Sequence, residues 1–379
     1  MKITPLQFHK KLQGKIEVIS RKKIRTRQDL SLAYTPGVAD PCREIAKDIS
    51  KVYTYTRKSN MVAVVTDGSA VLGLGNIGPE ASLPVMEGKA VLFKEFADVD
   101  AFPIALTTQD PDEIIETVVR ISPMFGGINL EDIAAPGCFY IERELNKKLN
   151  IPVFHDDQHG TAIVVLAGLY NALKVVKKKI GKIRVVVNGV GAAGVAITKL
   201  LMLAGVKDLL LVDSAGIIYR GRKGLYNEKK ELSKITNEEK KKGGLLESLV
   251  GADVFIGVSR GNVLNKEMVS GMGSDAIIFA MANPIPEIMP HDAFAAGARV
   301  VATGRSDFKN QINNVLVFPG MFRGLLDGRI SSVSDHMKLS VAKALAEYVK
   351  KPTASEIIPS VLDKNVAKVV ARAVQRNKK

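Results

Sequence analysis

The feature that most restricts the fold is a set of short runs that are aliphatic almost throughout: MVAVV from residue 61, IRVVV from 183, LLLV from 209 and AIIFA from 276. A strand with no polar face must be covered on both sides, as in parallel sheets with helices above and below. Between such runs lie helical stretches. PDEIIETVVRIS carries a proline and acids in its first turn, and GCFYIERELNKKLN and AAGVAITKLLMLAG follow further strands. Strands are expected over 61–66, 99–106, 127–133 and 151–155, and again over 183–188, 208–213, 252–258, 275–283 and 298–303. This alternation predicts an α/β protein of two domains, each with a mainly parallel sheet flanked by helices, the second Rossmann-like. The division expected is a substrate and metal half over 1–155 and a dinucleotide half with C-terminal helices over 156–379. Pro84 is expected to start the main helix of PEASLPVMEGKAVLFKEFA, and a helix is expected over 161–180. The stretch 214–244 reads as a polar, lysine-rich excursion.

The strand IRVVVN runs directly into Gly189, Gly191, Ala192, Ala193 and Gly194, which open a helix, and Asp213 closes the next strand. Glycines let a backbone approach a pyrophosphate, the helix start supplies N–H donors, and the acid bonds a ribose hydroxyl. This arrangement points to a dinucleotide. Asp213 favours NAD because an acid repels a 2′-phosphate, while Arg220, Arg222 and Lys223 downstream leave NADP as the alternative. A second GxGxxG, at Gly73, Gly75 and Gly78, stands several residues past its strand and reads as a tight loop beside the substrate.

Glu131 and Asp132 end one expected strand, and Asp156 and Asp157 end the next. In a parallel sheet both strand ends open at the edge where ligands bind. Converging carboxylates repel unless a cation neutralises them, and their oxygens suit Mg²⁺ or Mn²⁺. The other reading is helix caps or surface charge. His155 and His159 stand four apart as in HExxH, but with Asp in the Glu position and a strand-turn context. Two histidines that hold the turn are the simpler account. Tyr34 precedes a Thr-Pro-Gly turn, and Lys89 is embedded in the apolar PVMEGKAVLF. A buried lysine loses proton affinity and can serve as a base near neutral pH.

The net charge of +15 is scattered in lysine clusters with acids interspersed and no basic aromatic platform. It is therefore read as a solvated surface, with no nucleic-acid partner, whose field can draw in a small dianion. No long charge-free apolar segment and no secretory pattern is visible, so no membrane partner is expected. The two cysteines, Cys42 and Cys138, read as packing residues and suit a reducing cytoplasm.

SLAYTPGVADPC, VTDGSAVLGLGNIGPEASLPVMEGKAVLFKEFADVDAFPI, INLEDIAAPGCF, PVFHDDQHGTA, ANPIPEI and TGRSDFKNQINNVLVFPGMFRG together resemble the malic enzyme family in its short bacterial and archaeal form. The resemblance implies oxidative decarboxylation of L-malate to pyruvate and CO₂, with Mg²⁺ or Mn²⁺ and with NAD or NADP. It implies Tyr34 as general acid and Lys89 as general base, both touching substrate. It implies Glu131, Asp132 and Asp157 as metal ligands with Asp156 supporting, and Asn283 and Asn313 as substrate contacts, with Asn283 also near the cofactor. A homodimer or higher homo-oligomer is implied as well. An oxaloacetate decarboxylase or malolactic-type reaction on the same site is the near alternative. Where long members of the family carry an arginine, this chain has Ser69 and Ala70 in TDGSAVLGLG.

Overall fold

A computed structural model describes residues 3–71 and 73–378. It holds two sheets. The first is built from β1 (Met61–Thr66), β2 (Asp100–Ala105), β3 (Gly127–Leu130) and β4 (Val153–His155), all parallel, in the order β2-β1-β3-β4. The second contains β5 (Arg184–Asn188), β6 (Asp208–Asp213), β7 (Gly216–Ile217), β8 (Val254–Gly257), β9 (Ile277–Ala280) and β10 (Val300–Thr303). Its order is β10-β9-β8-β5-β6-β7, parallel except for the β6–β7 pair. In each sheet the chain leaves the first strand on one side and returns on the other. The resulting switch points lie between β1 and β3 and between β5 and β8, and crevices for ligands form at the carboxyl ends of strands at such places.

The aliphatic runs become strands because both faces are covered. Val62, Ala63, Val64 and Val65 are all fully buried, as are Val185, Val186 and Val187. One continuous apolar core joins the two sheets, and a smaller one lies on the far face of the second. The helix Asp156–Val176 runs through the middle and packs on the helices Ala192–Leu203 and Asp335–Tyr348. It is long and apolar enough to cross a membrane by composition, yet most of it is buried inside the protein.

The C-terminal helices reach back to the first sheet. Phe93 on the helix Pro79–Ala97 meets Phe318 and Phe322 on the helix Phe318–Gly328 at ring distances of 4.7 and 5.3 Å, and Phe322 meets Phe154 of β4 at 6.0 Å. All four rings are fully buried, each worth about 1.5–3 kcal/mol of transfer free energy.

Four local expectations are corrected. The helix expected over 161–180 starts at Asp156, because His155 already has extended backbone and caps it. Pro79, not Pro84, occupies the first turn of its helix, and Pro84 lies inside, where its missing N–H costs one internal hydrogen bond. The excursion 214–244 folds the short strand β7 and the helix Asn227–Ile235. Of the cysteines, Cys138 is packed but Cys42 is exposed.

Candidate active site

The acid cluster forms at the first switch point. Glu131 and Asp132 follow β3, and Asp156 and Asp157 open the helix that follows β4. One oxygen each from Glu131, Asp132 and Asp157 lie within 4.8 Å of one another. The Asp132 backbone N–H donates to Asp157 Oδ2 at 2.8 Å, which locks the two loops together. The loop after β1 is tied in as well. Ala70 N–H donates to the Asp132 carbonyl at 2.9 Å, and Ala134 N–H to Ser69 Oγ at 2.8 Å. Asn129 Nδ2 donates to Glu131 Oε2 at 2.8 Å.

Lys89 is 7% exposed and places its ammonium 2.8 Å from Glu131 Oε1 and 2.6 Å from Asp156 Oδ2, with the Phe318 ring centroid 4.2 Å away. Burial alone would lower its proton affinity, but the charges of Asp156, Glu131 and Asp157 outweigh burial and hold it above the usual lysine value. This differs from the lowering that the apolar stretch around it predicts. The reason is the pair of carboxylates that the fold sets against it. Burial in turn pushes the carboxyl groups of Glu131, Asp156 and Asp157 upward, against the attraction of Lys89. One buried ammonium thus faces two buried carboxylates, Glu131 and Asp156, with the partly exposed Asp157 beyond them, an arrangement whose charges do not balance. The donor set is three hard oxygens, which fits a divalent cation of the magnesium or manganese type.

Glycine is required where the cluster is tightest. A Cβ on Gly160 would lie 1.8 Å from Asp156 Oδ1 and 3.3 Å from Asn314 Cβ. His155 and His159 do not converge. His159 Nε2 pairs with Glu142 at 2.9 Å, while the His155 ring is fully buried with Nδ1 3.7 Å from Asp157 Oδ2, and its backbone N–H donates to Glu142. Glu142 was not singled out by residue type. Its signal is positional: Cys138, Ile141, Glu142 and Leu145 share the buried face of the helix Gly137–Lys148, so a carboxylate stands at a core-facing position.

The glycine turn sits at the second switch point. Gly189 has φ of +103°, and a Cβ there would strike the Val258 carbonyl at 2.5 Å; one on Gly194 would strike the Gly189 carbonyl at 1.8 Å. Gly191 has nothing within 4 Å. The first glycine makes the turn, the third packs helix on strand, and the second leaves open the approach that a pyrophosphate needs. Ala192 and Ala193 begin the helix, whose start has no side-chain cap. Asp213 ends β6 and is gripped by Arg222 at 2.5 Å and Lys229 at 2.7 Å, which keep its carboxyl below the usual value despite burial. Arg222, expected to meet a 2′-phosphate, pairs with Asp213, while Arg220 turns to the Lys234 carbonyl; Lys229 was not anticipated, because only folding of the helix Asn227–Ile235 brings it there. Tyr226 ties the glycine turn to the helix Gly137–Lys148: its hydroxyl donates to the Val190 carbonyl at 2.6 Å, and its ring lies 6.3 Å from Phe139.

Asn283 is exposed on the loop after β9. A Cβ on Gly73 would lie 2.3 Å from its carbonyl oxygen, so the first glycine loop crosses this loop. Glu287, fully buried, braces the same loop by accepting from Ala282 N–H at 2.9 Å and Ser259 N–H at 3.1 Å. Asn313 is half-buried and its Oδ1 accepts from Val315 N–H at 2.9 Å. Tyr34 stands apart. It ends the helix Arg27–Ala33, is 67% exposed, and its hydroxyl has no hydrogen-bond partner among the described residues.

A family model described as the malic enzyme N-terminal domain matches residues 13–146, and one described as the malic enzyme NAD-binding domain matches 158–378. The chain belongs to the malic enzyme family. A bifunctional malic/malolactic enzyme of Bacillus subtilis is 61% identical, covering 98% of this chain and 91% of its own. An NADP-dependent malic enzyme of Escherichia coli is 48% identical over 95% of this chain and 48% of its own length. The crystal structure of an NAD-dependent malic enzyme from Thermotoga maritima superposes with a TM-score of 0.95 at 51% identity, covering 99% of each chain. The stretch matched to the N-terminal domain thus carries Lys89, Glu131 and Asp132, the stretch matched to the NAD-binding domain carries the glycine turn, and Asp156 and Asp157 lie between the two matches.

Proposed function

We propose that the protein oxidises and decarboxylates L-malate to pyruvate and CO₂, reducing NAD or NADP. The observation that carries this reading is the carboxylate trio of Glu131, Asp132 and Asp157 beside the buried Lys89, at one switch point, with a dinucleotide turn at the other. The matched stretches support a substrate half over 1–155 and a nucleotide half over 156–379.

Glu131, Asp132 and Asp157 would hold Mg²⁺ or Mn²⁺. Such an ion supplies Lewis acidity, lowering the pKa of the malate hydroxyl and steadying negative charge as the carboxylate leaves. Lys89 takes the hydroxyl proton as C2 gives up its hydride. It can do so once the carboxylate charge around it is engaged elsewhere, because its burial then favours the neutral amine. Asp156, 2.6 Å from the amine, orients it. Asn283 and Asn313 reach the substrate from the second half. Tyr34 returns a proton to C3 of the enol of pyruvate, and Lys89 restores the tyrosine proton.

Tyr34 fulfils that role in a homodimer, serving the pocket of a second copy. The support is the N-terminal segment: the helices Pro5–Leu12, Arg27–Ala33 and Ala39–Lys47 bury no residue, and Leu6, Val18, Ile19, Leu32 and Tyr34 are each at least two-thirds exposed. So large an apolar surface is a docking face.

For the cofactor, Asp213 supports NAD, while Arg222 and Lys229 offer the positive charge that a 2′-phosphate needs, so NADP is the alternative. Incubation with L-malate, Mn²⁺ and either cofactor should give one reduced nicotinamide per pyruvate. Lactate with no net reduction would make the protein a malolactic enzyme instead.

A further inference from the structure

We infer that Glu142 is a positioning residue that sets the geometry of the Asp156–Asp157 pair and thereby the affinity of the site for its divalent cation. The inference rests on the reading of Asp157 as a ligand.

Glu142 lies on the helix Gly137–Lys148, apart from the trio, and is buried. Its carboxylate accepts from three donors. They are the His155 backbone N–H at 3.0 Å, Gln158 Nε2 at 3.3 Å and His159 Nε2 at 2.9 Å. The three donors bracket the two aspartates, one before them and two after. Asp156 and Asp157 themselves point the other way, to Lys89 and to the Asp132 N–H. The turn is therefore held from behind by one carboxylate and presents two carboxylates in front.

Besides these bonds, the Phe154 ring packs 5.6 Å from the His159 ring. A cavity of about 470 Å³ lies there, lined by Glu142, Gln158 and His159 together with Arg143, Lys199 and Lys338. Packing is incomplete where the turn borders this cavity, so the hydrogen bonds to Glu142 help to decide where it rests. Bonds to an ionised acceptor are about twice as strong as neutral ones. Glu142 accepts from all three donors, the role that suits an ionised carboxylate. Groups that orient metal ligands in this way tune affinity without touching the ion.

The test is Mn²⁺ binding to the full-length protein, read by electron paramagnetic resonance of free Mn²⁺, with thermal unfolding and KM for NAD measured alongside. Glu142→Gln keeps the shape but sets an amide against donors. Its Mn²⁺ dissociation constant should rise ~10- to 100-fold. Gln158→Leu removes one donor only, tolerates folding more easily, and should weaken binding several-fold while KM for NAD stays unchanged. Glu142→Asp keeps the charge and should recover part of the affinity. An unchanged Mn²⁺ constant in both Gln158→Leu and a folded Glu142→Gln overturns the inference, and lowered melting temperatures alone would mark Glu142 as a structural brace. Failure of the parent protein to bind Mn²⁺ would instead overturn the reading of the trio as a metal site.

Discussion

Lys89 Nζ lies 2.6 Å from Asp156 Oδ2, with the Phe318 ring beside it, although 67 residues separate them in sequence. The contact joins the helix after the first glycine loop to the first turn of the central helix. It sets the one buried cation of the site among its carboxylates. Substitution of Lys89 by Ala should lower kcat by ~10²- to 10⁴-fold, the range for loss of a general base. Binding of NAD, measured by fluorescence titration, should be unchanged because the glycine turn is untouched. Comparable turnover in the variant would remove Lys89 from the chemistry.

Tyr34 gives a sharper test of assembly. Tyr34→Phe and Lys89→Ala should each be inactive alone. If Tyr34 serves a partner's pocket, mixing the two under conditions of subunit exchange creates dimers with one intact site. Activity should then return to about a quarter of the parent value for random two-fold assembly. No recovery, with exchange confirmed by mass spectrometry, would place Tyr34 in its own subunit's pocket.

Gly160 should resist substitution. A methyl group there meets Asp156 Oδ1 at 1.8 Å and must displace the carboxylate that orients Lys89. Gly160→Ala should lose roughly 100-fold in kcat/KM, the scale of a 1 Å misplacement. KM for NAD should stay near the parent value. A fully active Gly160→Ala would show that the Asp156 position is not critical.

Much of this was legible in the sequence. The strands announced themselves because both faces are buried, so every position is aliphatic, as at Val62 to Val65. The carboxylates were expected at neighbouring strand ends, and the fold gathers them within 4.8 Å. What was hidden depends on distance along the chain. HDDQH is too polar to read as a helix start, yet its helix begins at Asp156 because the rest of it is buried in the core. The raised proton affinity of Lys89 needs Glu131 and Asp156 from elsewhere in the fold, and neither is visible from the apolar residues beside it. The grip of Lys229 on Asp213 needs the helix after β7, which composition alone reads as loop. The exposure of Tyr34 follows from a segment whose helices find no core in one chain.

Cofactor choice should respond to Arg222. The Arg222→Gln variant removes one of the two cations at Asp213, and kcat/KM for NADP should fall roughly ten-fold or more, the scale of one charge-assisted contact. NAD should be affected less. Equal losses with both cofactors would mean that Arg222 serves only to hold Asp213.

The most direct measurement follows absorbance at 340 nm with L-malate and NAD or NADP through three stages: Mn²⁺ present, excess EDTA added, excess Mn²⁺ restored. The account expects a rise, an arrest and a renewed rise with at least one cofactor. A rate that continues undiminished in EDTA, or no rise at any stage with either cofactor, would contradict it.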